Sequence, residues 1–447
     1  MSDIFIAKPD FTAQGHTIFG KNADNAPNEG LSIVRIPAID HEWQIAECTH
    51  IEIPQVKHTY EVLLTKPYHA FGAEMGMNSN GVCIGHTITE TKLKVKQQNN
   101  GLTGGDLVRL GLERGGNALE ALEVITSLLQ EYGQQANSGY LSEEKWGCNS
   151  FLITDATDSY LLETIDREWA AVKLTSGFCA LTGTPQIDKN FDLFSDGLID
   201  YAYNNKWIKS KEGFSFKDAY SKKSFFRTDK GSKRRKLVDT FVSDKSGSFT
   251  LQHAIDLLGL HQKDKNFNPA KGKDTDICQH ANKQFPVQTN GSMIAELRTG
   301  DELFTCWLTG TSLPCVSLFK PFYIPGNNIY QGIIQEPALL KNDSLWWKAE
   351  VFHRVLSINY QKNKEYVDKE RLELQEQFIS KNEEILGQYP TAEKLSAFSD
   401  ECIKIHRKRI MEWEYYIKKN KKGMGQFTPS YKNYIEKLTE EVIPVLD

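Results

Sequence analysis

The chain has 447 residues, 40% of them hydrophobic and 25% charged, with a formal net charge of -5. That length supports a large core and more than one domain, and the balance is that of an ordinary globular protein. The missing basic excess argues against nucleic acid or an anionic membrane surface as partner. No apolar run approaches the roughly 18 residues of a membrane span. No basic and apolar leader opens the sequence, so a cytoplasmic location is expected.

Strand patterns crowd the first ninety residues. SDIFIAK reads as an alternating, half-buried strand and leads through TAQG to HTIFGKN, a hairpin-like pair with Gly15 at its tip. LSIVRIP, IAECTHIEI, YEVLLTK and GVCIGHTIT follow, the last preceded by an Asn80-Gly81 turn. Helix takes over around Leu107, Val108, Leu110 and Leu112. A second helix reads from NALEALEVITSLLQEYG, with Asn117 as N-cap and Gly133 as stop. NSFLITD, SYLLETI, REWAAVKL and FCALTG return to strand, which suggests layered α/β with antiparallel sheets. The basic stretch from Ser221 to Gly247 reads as a solvated loop or helix end. QTNGSMIAEL and ELFTCWLTG close the strand-rich part. Beyond Ser344 the pattern is helical, with Trp346, Trp347 and Trp413 as apolar anchors.

The 8 cysteines include no C-x-x-C pair and the 11 histidines no H-E-x-x-H, so buried free thiols are expected, with no structural metal and no cofactor.

Ser2 stands directly before the first strand. A hydroxyl attacks a carbonyl only when a base takes its proton. One solution makes the nucleophile the first residue of the mature chain and its own α-amine the base. The amine titrates at about 7.7–8.0, against about 10.4 for Lys, so much of it is neutral near physiological pH. This requires removal of Met1 and a rigid terminus, and a strand beginning at Ser2 supplies the rigidity.

SDIFIAKPDFTAQGHTIFGKNADN resembles the opening of the secernins, a branch of the N-terminal-nucleophile dipeptidase family whose chains begin Cys-Asp, then a strand, then F-G-K-N-x-D. The likeness continues through YEVLLTKPYHAFGAEMGMNSNGVCIGH, DLVRLGLER, CNSFLITD and LLETIDREWAA, and more loosely through GSMIAEL and LPCVSLFKPF. It implies an α/β (α+β) fold: the αββα four-layer N-terminal-nucleophile hydrolase arrangement, with a helical C-terminal extension. Domains are expected at 1–325 and 326–447, the second packed on the first.

The resemblance places Ser2 where the family has its nucleophilic Cys. It implies Lys21, Asp24 and Asn149 as further catalytic candidates: Asp24 to hold or orient the amine, Lys21 to bias it toward neutrality or bind a carboxylate. Asn22, Glu74, Asn78, His86, Thr182 and Gly183 are the substrate-binding candidates. Two departures stand out. His86 replaces the Asn of the family's G-V-C-I-G-N block, and Gly183 stands where an amide side chain is expected after FCAL. Amide donors at such positions often complete an oxyanion hole.

The expected activity is hydrolysis of a small peptide or amide substrate, with homo-oligomerisation left open. Two alternatives remain at this point. One is a catalytically inactive secernin-like binding or scaffold protein, since secernins are also associated with exocytosis and cytoskeletal roles. The other is an engineered Cys-to-Ser variant of an active hydrolase.

Overall fold

The computed structural model describes residues 2–42, 44–140, 144–222, 230–262, 266–300, 303–324, 335–420 and 429–442. Strands β1 (Ile4–Ala7), β2 (Thr17–Asn25) and β3 (Leu31–Ile36) lead to the short β4 (Ile39–Asp40), β5 (Ile45–Glu47), β6 (Glu52–Pro54) and β7 (His58–Thr59). Then come β8 (Val62–Pro67), β9 (Met75–Asn78) and β10 (Cys83–Thr89), followed by helices α1 (Gly104–Arg114) and α2 (Ala118–Tyr132). A second run holds β11 (Cys148–Thr154), β12 (Ser159–Ile165), β13 (Glu168–Lys173), β14 (Phe178–Leu181) and β15 (Leu193–Phe194). Helices α3 (Leu198–Asn204), α4 (Phe216–Tyr220), α5 (Lys230–Val242) and α6 (Leu251–Leu258) precede β16 (Gln288–Leu297), β17 (Thr305–Leu308) and β18 (Lys320–Phe322). The chain closes with α7 (Leu345–Ser357), α8 (Tyr360–Leu386), α9 (Ala392–Lys419) and α10 (Pro429–Glu440).

Contacts group the chain into two compact units, each assembled from separate segments. The first holds 1–21, 35–250 and 295–302; the second holds 22–34, 251–294 and 303–447. The expected division near Pro325 falls outside the described residues.

In the first unit the larger sheet runs β15-β13-β12-β11-β10-β9-β8-β3, antiparallel at each neighbouring pair from β15 through β8. Helices α1 and α2 cover one face, where Leu107, Leu110, Leu122 and Ile125 join Ile84, Phe151 and Leu162 in one apolar cluster. Each helix is capped by its own sequence. Thr103 and Asp106 form a reciprocal capping box on α1, and Asn117 accepts from the Glu120 N–H on α2. Gly133 ends α2 with φ of 74°, as the sequence suggests.

On the opposite face lie β1 and β2. A Cβ on Gly85 of β10 would fall 2.7 Å from Lys21 Cδ and 3.0 Å from Phe19 Cζ, so the two sheets meet side chain to backbone there. Strand β1 sits between β14 and β2, with Ile4 opposite Leu181 and Lys21. Helix α5 packs beyond β14, with Gly231 against Thr182 and Thr184. The first unit is thus layered helix, sheet, sheet, helix: the αββα order. This layering corrects one expectation. Residues Ile4, Phe5, Ile6 and Ala7 are all buried, not alternately so, because both faces of β1 are covered.

In the second unit the last residues of β2 and the first residues of β16 come together, and the order continues through β17 to β18. Helices α7, α8 and α9 pack in this unit. Trp346 donates from its indole to the Asn290 carbonyl of β16 at 2.8 Å, and Trp413 stacks obliquely on Phe352.

Candidate active site

Ser2 lies two residues before β1, which begins at Ile4 and not at Ser2 as expected, and is 6% exposed. Its backbone nitrogen donates to Thr87 Oγ1 on β10 at 3.0 Å, so the start of the chain is pinned to the facing sheet. Met1, whose removal the sequence reading requires, lies outside the described residues.

Beside Thr87 is His86. Its Nδ1 lies 3.1 Å from Asn149 Oδ1, a diagonal contact across the β10–β11 pair, where His86 faces Phe151 and Asn149 faces Ile88. The Asn149 amide nitrogen donates to Gln134 Oε1 at 3.0 Å, and the Thr164 hydroxyl donates to the Asn149 carbonyl. This network fixes the Asn149 amide with its oxygen toward the imidazole, so His86 donates from Nδ1 and keeps a lone pair on Nε2. Burial pushes the His86 pKa down to about 4, although Glu74 pulls it the other way, so the ring is neutral at physiological pH.

Lys21 of β2 is fully buried and donates to Glu74 Oε2 at 2.9 Å. His86 Nε2 is 4.0 Å from the same oxygen. Lys21 and Glu74 thus form an ion pair with His86 close to its carboxylate, and His86 in turn meets Asn149, while Ser2 is tied to Thr87, the chain neighbour of His86. Gly85 permits this arrangement, since a side chain there would strike the Lys21 stem. Gly104 of α1 permits it from the other side, with a hypothetical Cβ 2.2 Å from Asn149 Oδ1 and 2.4 Å from His86 Nδ1.

Other candidates have different company. Asn22 donates to the carbonyls of Leu258 and Ile277 and accepts from Ser292, and Asp24 accepts from the Thr289 hydroxyl at 2.7 Å. All of these contacts lie in the second unit. Asn78 is spent on the backbone: it donates to the carbonyls of Leu112 and Gly115 and accepts from the N–H groups of Asn80 and Val82, which locks the Asn80-Gly81 turn. Thr182 donates from its hydroxyl to the Gly231 carbonyl, and Gly183 adopts φ of 85°.

The sequence reading passed over Arg234. It sits in the basic stretch taken as solvated, yet it is 2% exposed. Its guanidinium lies 3.3 Å from Asp3, the neighbour of Ser2, and donates to the Thr182 carbonyl. A single buried Arg inside a run of cations carries no periodic signal that separates it from its exposed neighbours. Residues 223–229 of that stretch lie outside the described residues. A separate cavity of about 480 Å³, lined by Ile36, His41, Phe71 and Arg109 among others, includes none of the candidate residues.

Free thiols are expected, and free thiols are found, with Cys48 and Cys179 only partly buried. All eight cysteines are free, but Cys278 and Cys315 converge with His261 and His280 in the second unit. Spacing along the chain could not reveal it, because the four residues come from three separated segments.

Among the described residues no helix is long and apolar enough to cross a membrane. Residues 10–373 match the model of peptidase family C69. The structure is also similar to that of a mutant conjugated bile acid hydrolase from Clostridium perfringens, at 13% identity over 68% of this chain and 88% of that one, with a TM-score of 0.36. Penicillin V acylase from Agrobacterium tumefaciens aligns at 11% identity over 68% of this chain and 82% of that one, with a TM-score of 0.36. The Caenorhabditis elegans ortholog of N-acylethanolamine-hydrolyzing acid amidase aligns at 9% over 67% and 94%, with a TM-score of 0.33. With the family model matched across most of its length, the chain belongs to peptidase family C69.

Proposed function

We propose that this protein is a dipeptidase-like, secernin-related amide hydrolase in which Ser2, exposed as the first residue by removal of Met1, is the nucleophile. The observation that carries the reading is the anchoring of the Ser2 nitrogen to Thr87, the chain neighbour of His86. Once freed, that nitrogen is an amine held two residues before a buried strand, oriented by one hydroxyl. It takes the proton of the Ser2 hydroxyl as the oxygen bonds to the substrate carbonyl carbon. It then hands that proton to the departing amine as the C–N bond breaks. A water attacks the resulting ester with the same amine as base, which releases the acid and restores the hydroxyl.

In this reading Lys21, across the strand pair from Ile4, lends positive charge to the site, tempered by Glu74 at 2.9 Å. His86 is neutral, with its Nε2 lone pair kept, and is no cation for the oxyanion. Backbone N–H groups are then the donors left to hold the developing charge, and each such donor is worth roughly 3 kcal/mol. Serine depends on them more than a cysteine would, because its hydroxyl is far less acidic than a thiol.

The test pairs intact mass with turnover of dipeptides and acyl amides. Active material is expected to lack Met1. Ser2→Ala should lose about a thousandfold or more of the rate while keeping fold and substrate binding. Ser2→Cys should raise the rate. Full activity in Ser2→Ala sinks the mechanism. If neither the protein nor Ser2→Cys turns over any substrate with Met1 absent, the binding-protein reading replaces it.

A further inference from the structure

His261 follows α6, Cys278 and His280 stand two residues apart in the long connection before β16, and Cys315 lies in the 3-10 turn Pro314–Val316. All four are buried, none more than 7% exposed. One donor atom from each falls within 4.8 Å of every other. Two of the separations are 3.6 Å, from Cys278 Sγ to His280 Nε2, and 3.3 Å, from His280 Nε2 to Cys315 Sγ.

We infer that these four residues form a structural zinc site of Cys₂His₂ type. Zinc binds thiolate at about 2.3 Å and imidazole at about 2.0–2.1 Å in a tetrahedron, so its ligand atoms stand about 3.3–3.8 Å apart. The two measured separations fall in that range, and the outer limit of 4.8 Å needs a contraction of only about 1 Å. Two soft thiolates with two imidazoles select zinc over hard cations such as magnesium or calcium. Four protein ligands leave no position for water or substrate, which makes the site structural.

The surroundings are those of a supported metal centre. The Tyr360 hydroxyl donates to Cys315 Sγ at 3.2 Å, the kind of outer contact that steadies a ligand. The Phe267 ring stacks on His261 with centroids 3.6 Å apart. The Leu260 carbonyl accepts from both Ile277 N and Cys278 N, so the segments bearing His261 and Cys278 are already tied by backbone. Among its described residues the connection from α6 to β16 contains little regular structure beyond the turn Pro269–Lys271, and a loop of that length needs something to hold it in a compact unit. Zinc at this point joins α6, that connection and the turn before β18. The inference stands apart from the Ser2 chemistry.

The test uses the full chain, produced with zinc in the medium, desalted and analysed for metal. About one zinc per chain is expected, with less than a tenth of that in the double variant Cys278→Ser, Cys315→Ser. Should that variant fail to fold, a mercurial titrated into the native protein should release the zinc as two thiols react. Cobalt exchanged into the site should show tetrahedral ligand-field bands and thiolate charge transfer. Three results overturn the inference: wild-type protein with less than a tenth of a zinc per chain and no cobalt spectrum, zinc content unchanged in a folded double variant, or a disulfide joining Cys278 to Cys315.

Discussion

His86 shows how much one residue's surroundings decide. An imidazole titrates ordinarily near 6.5, but burial lowers this one to about 4. The unfolded chain therefore binds the proton more readily than the folded one between those values. The resulting stability is complete above about pH 6.5 and is lost as the pH falls through about 4. Replacing His86 with Asn, the residue of the family block, removes the titration and keeps a polar partner for Asn149. Between neutral pH and about pH 4.5 the wild-type protein should lose about 2 kcal/mol more stability than His86→Asn. Denaturant melts across that range measure it. His353 is also held down to about 4 by burial, but it is present in both proteins, so the difference isolates His86. Parallel pH curves for the two would show that His86 is not buried as described. Glu74 and Lys21 obey a related logic: a fully buried ammonium without its carboxylate is costly, so neither can change alone without penalty.

At the scale of elements, the Lys21–Glu74 pair has its place because two strands approach at a glycine. Gly85→Ala places a methyl 2.7 Å from the Lys21 side chain, in the space between sheets that packs Phe19 as well. A loss of about 1–3 kcal/mol is expected, with Lys21 displaced from Glu74 and hydrolysis reduced alongside. A thermal melt and a rate measurement check both; an unchanged melt would mean that the sheets yield freely here. The sequence made several elements readable because their signals are local. Asn117 and Gly133 bracket α2, and QTNGSMIAEL matches β16 residue for residue. Burial on both faces of β1 was not readable, since alternation reports one covered face and says nothing of a second layer. The site divides in the same way. Lys21, Glu74, His86 and Asn149 came from sequence blocks and lie near one another, whereas Thr87, Gln134 and Arg234 meet Ser2, Asn149 and Asp3 through strand register and helix docking that no local pattern encodes. The thiols of Cys278 and Cys315 meet only through long-range folding, so spacing rules for metal ligands had nothing to find.

At the scale of the molecule, the helices after Ser344 are not an appendage to the second unit. Gln375 of α8 brackets Phe319, accepting from its N–H and donating to its carbonyl, and Tyr323 donates to Asn382. Glu350 of α7 accepts from Gln288 at the start of β16 and from Ser312. Trp346, Trp347 and Trp413 are at most 2% exposed. Losing one buried Trp typically costs about 3–5 kcal/mol, and a domain's whole stability is about 5–15 kcal/mol. A chain ending at Asn342 would lose all three tryptophans and also leave the Asn290 carbonyl without its indole donor. Such a truncation is expected to cost the second unit its cooperative melt and to expose enough apolar surface to aggregate. Limited proteolysis of the full chain should correspondingly yield fragments that stay together on size exclusion under native conditions. Early, clean release of everything past Asn342, with the remainder melting at an unchanged temperature, would show that the helices only cover a unit already complete without them.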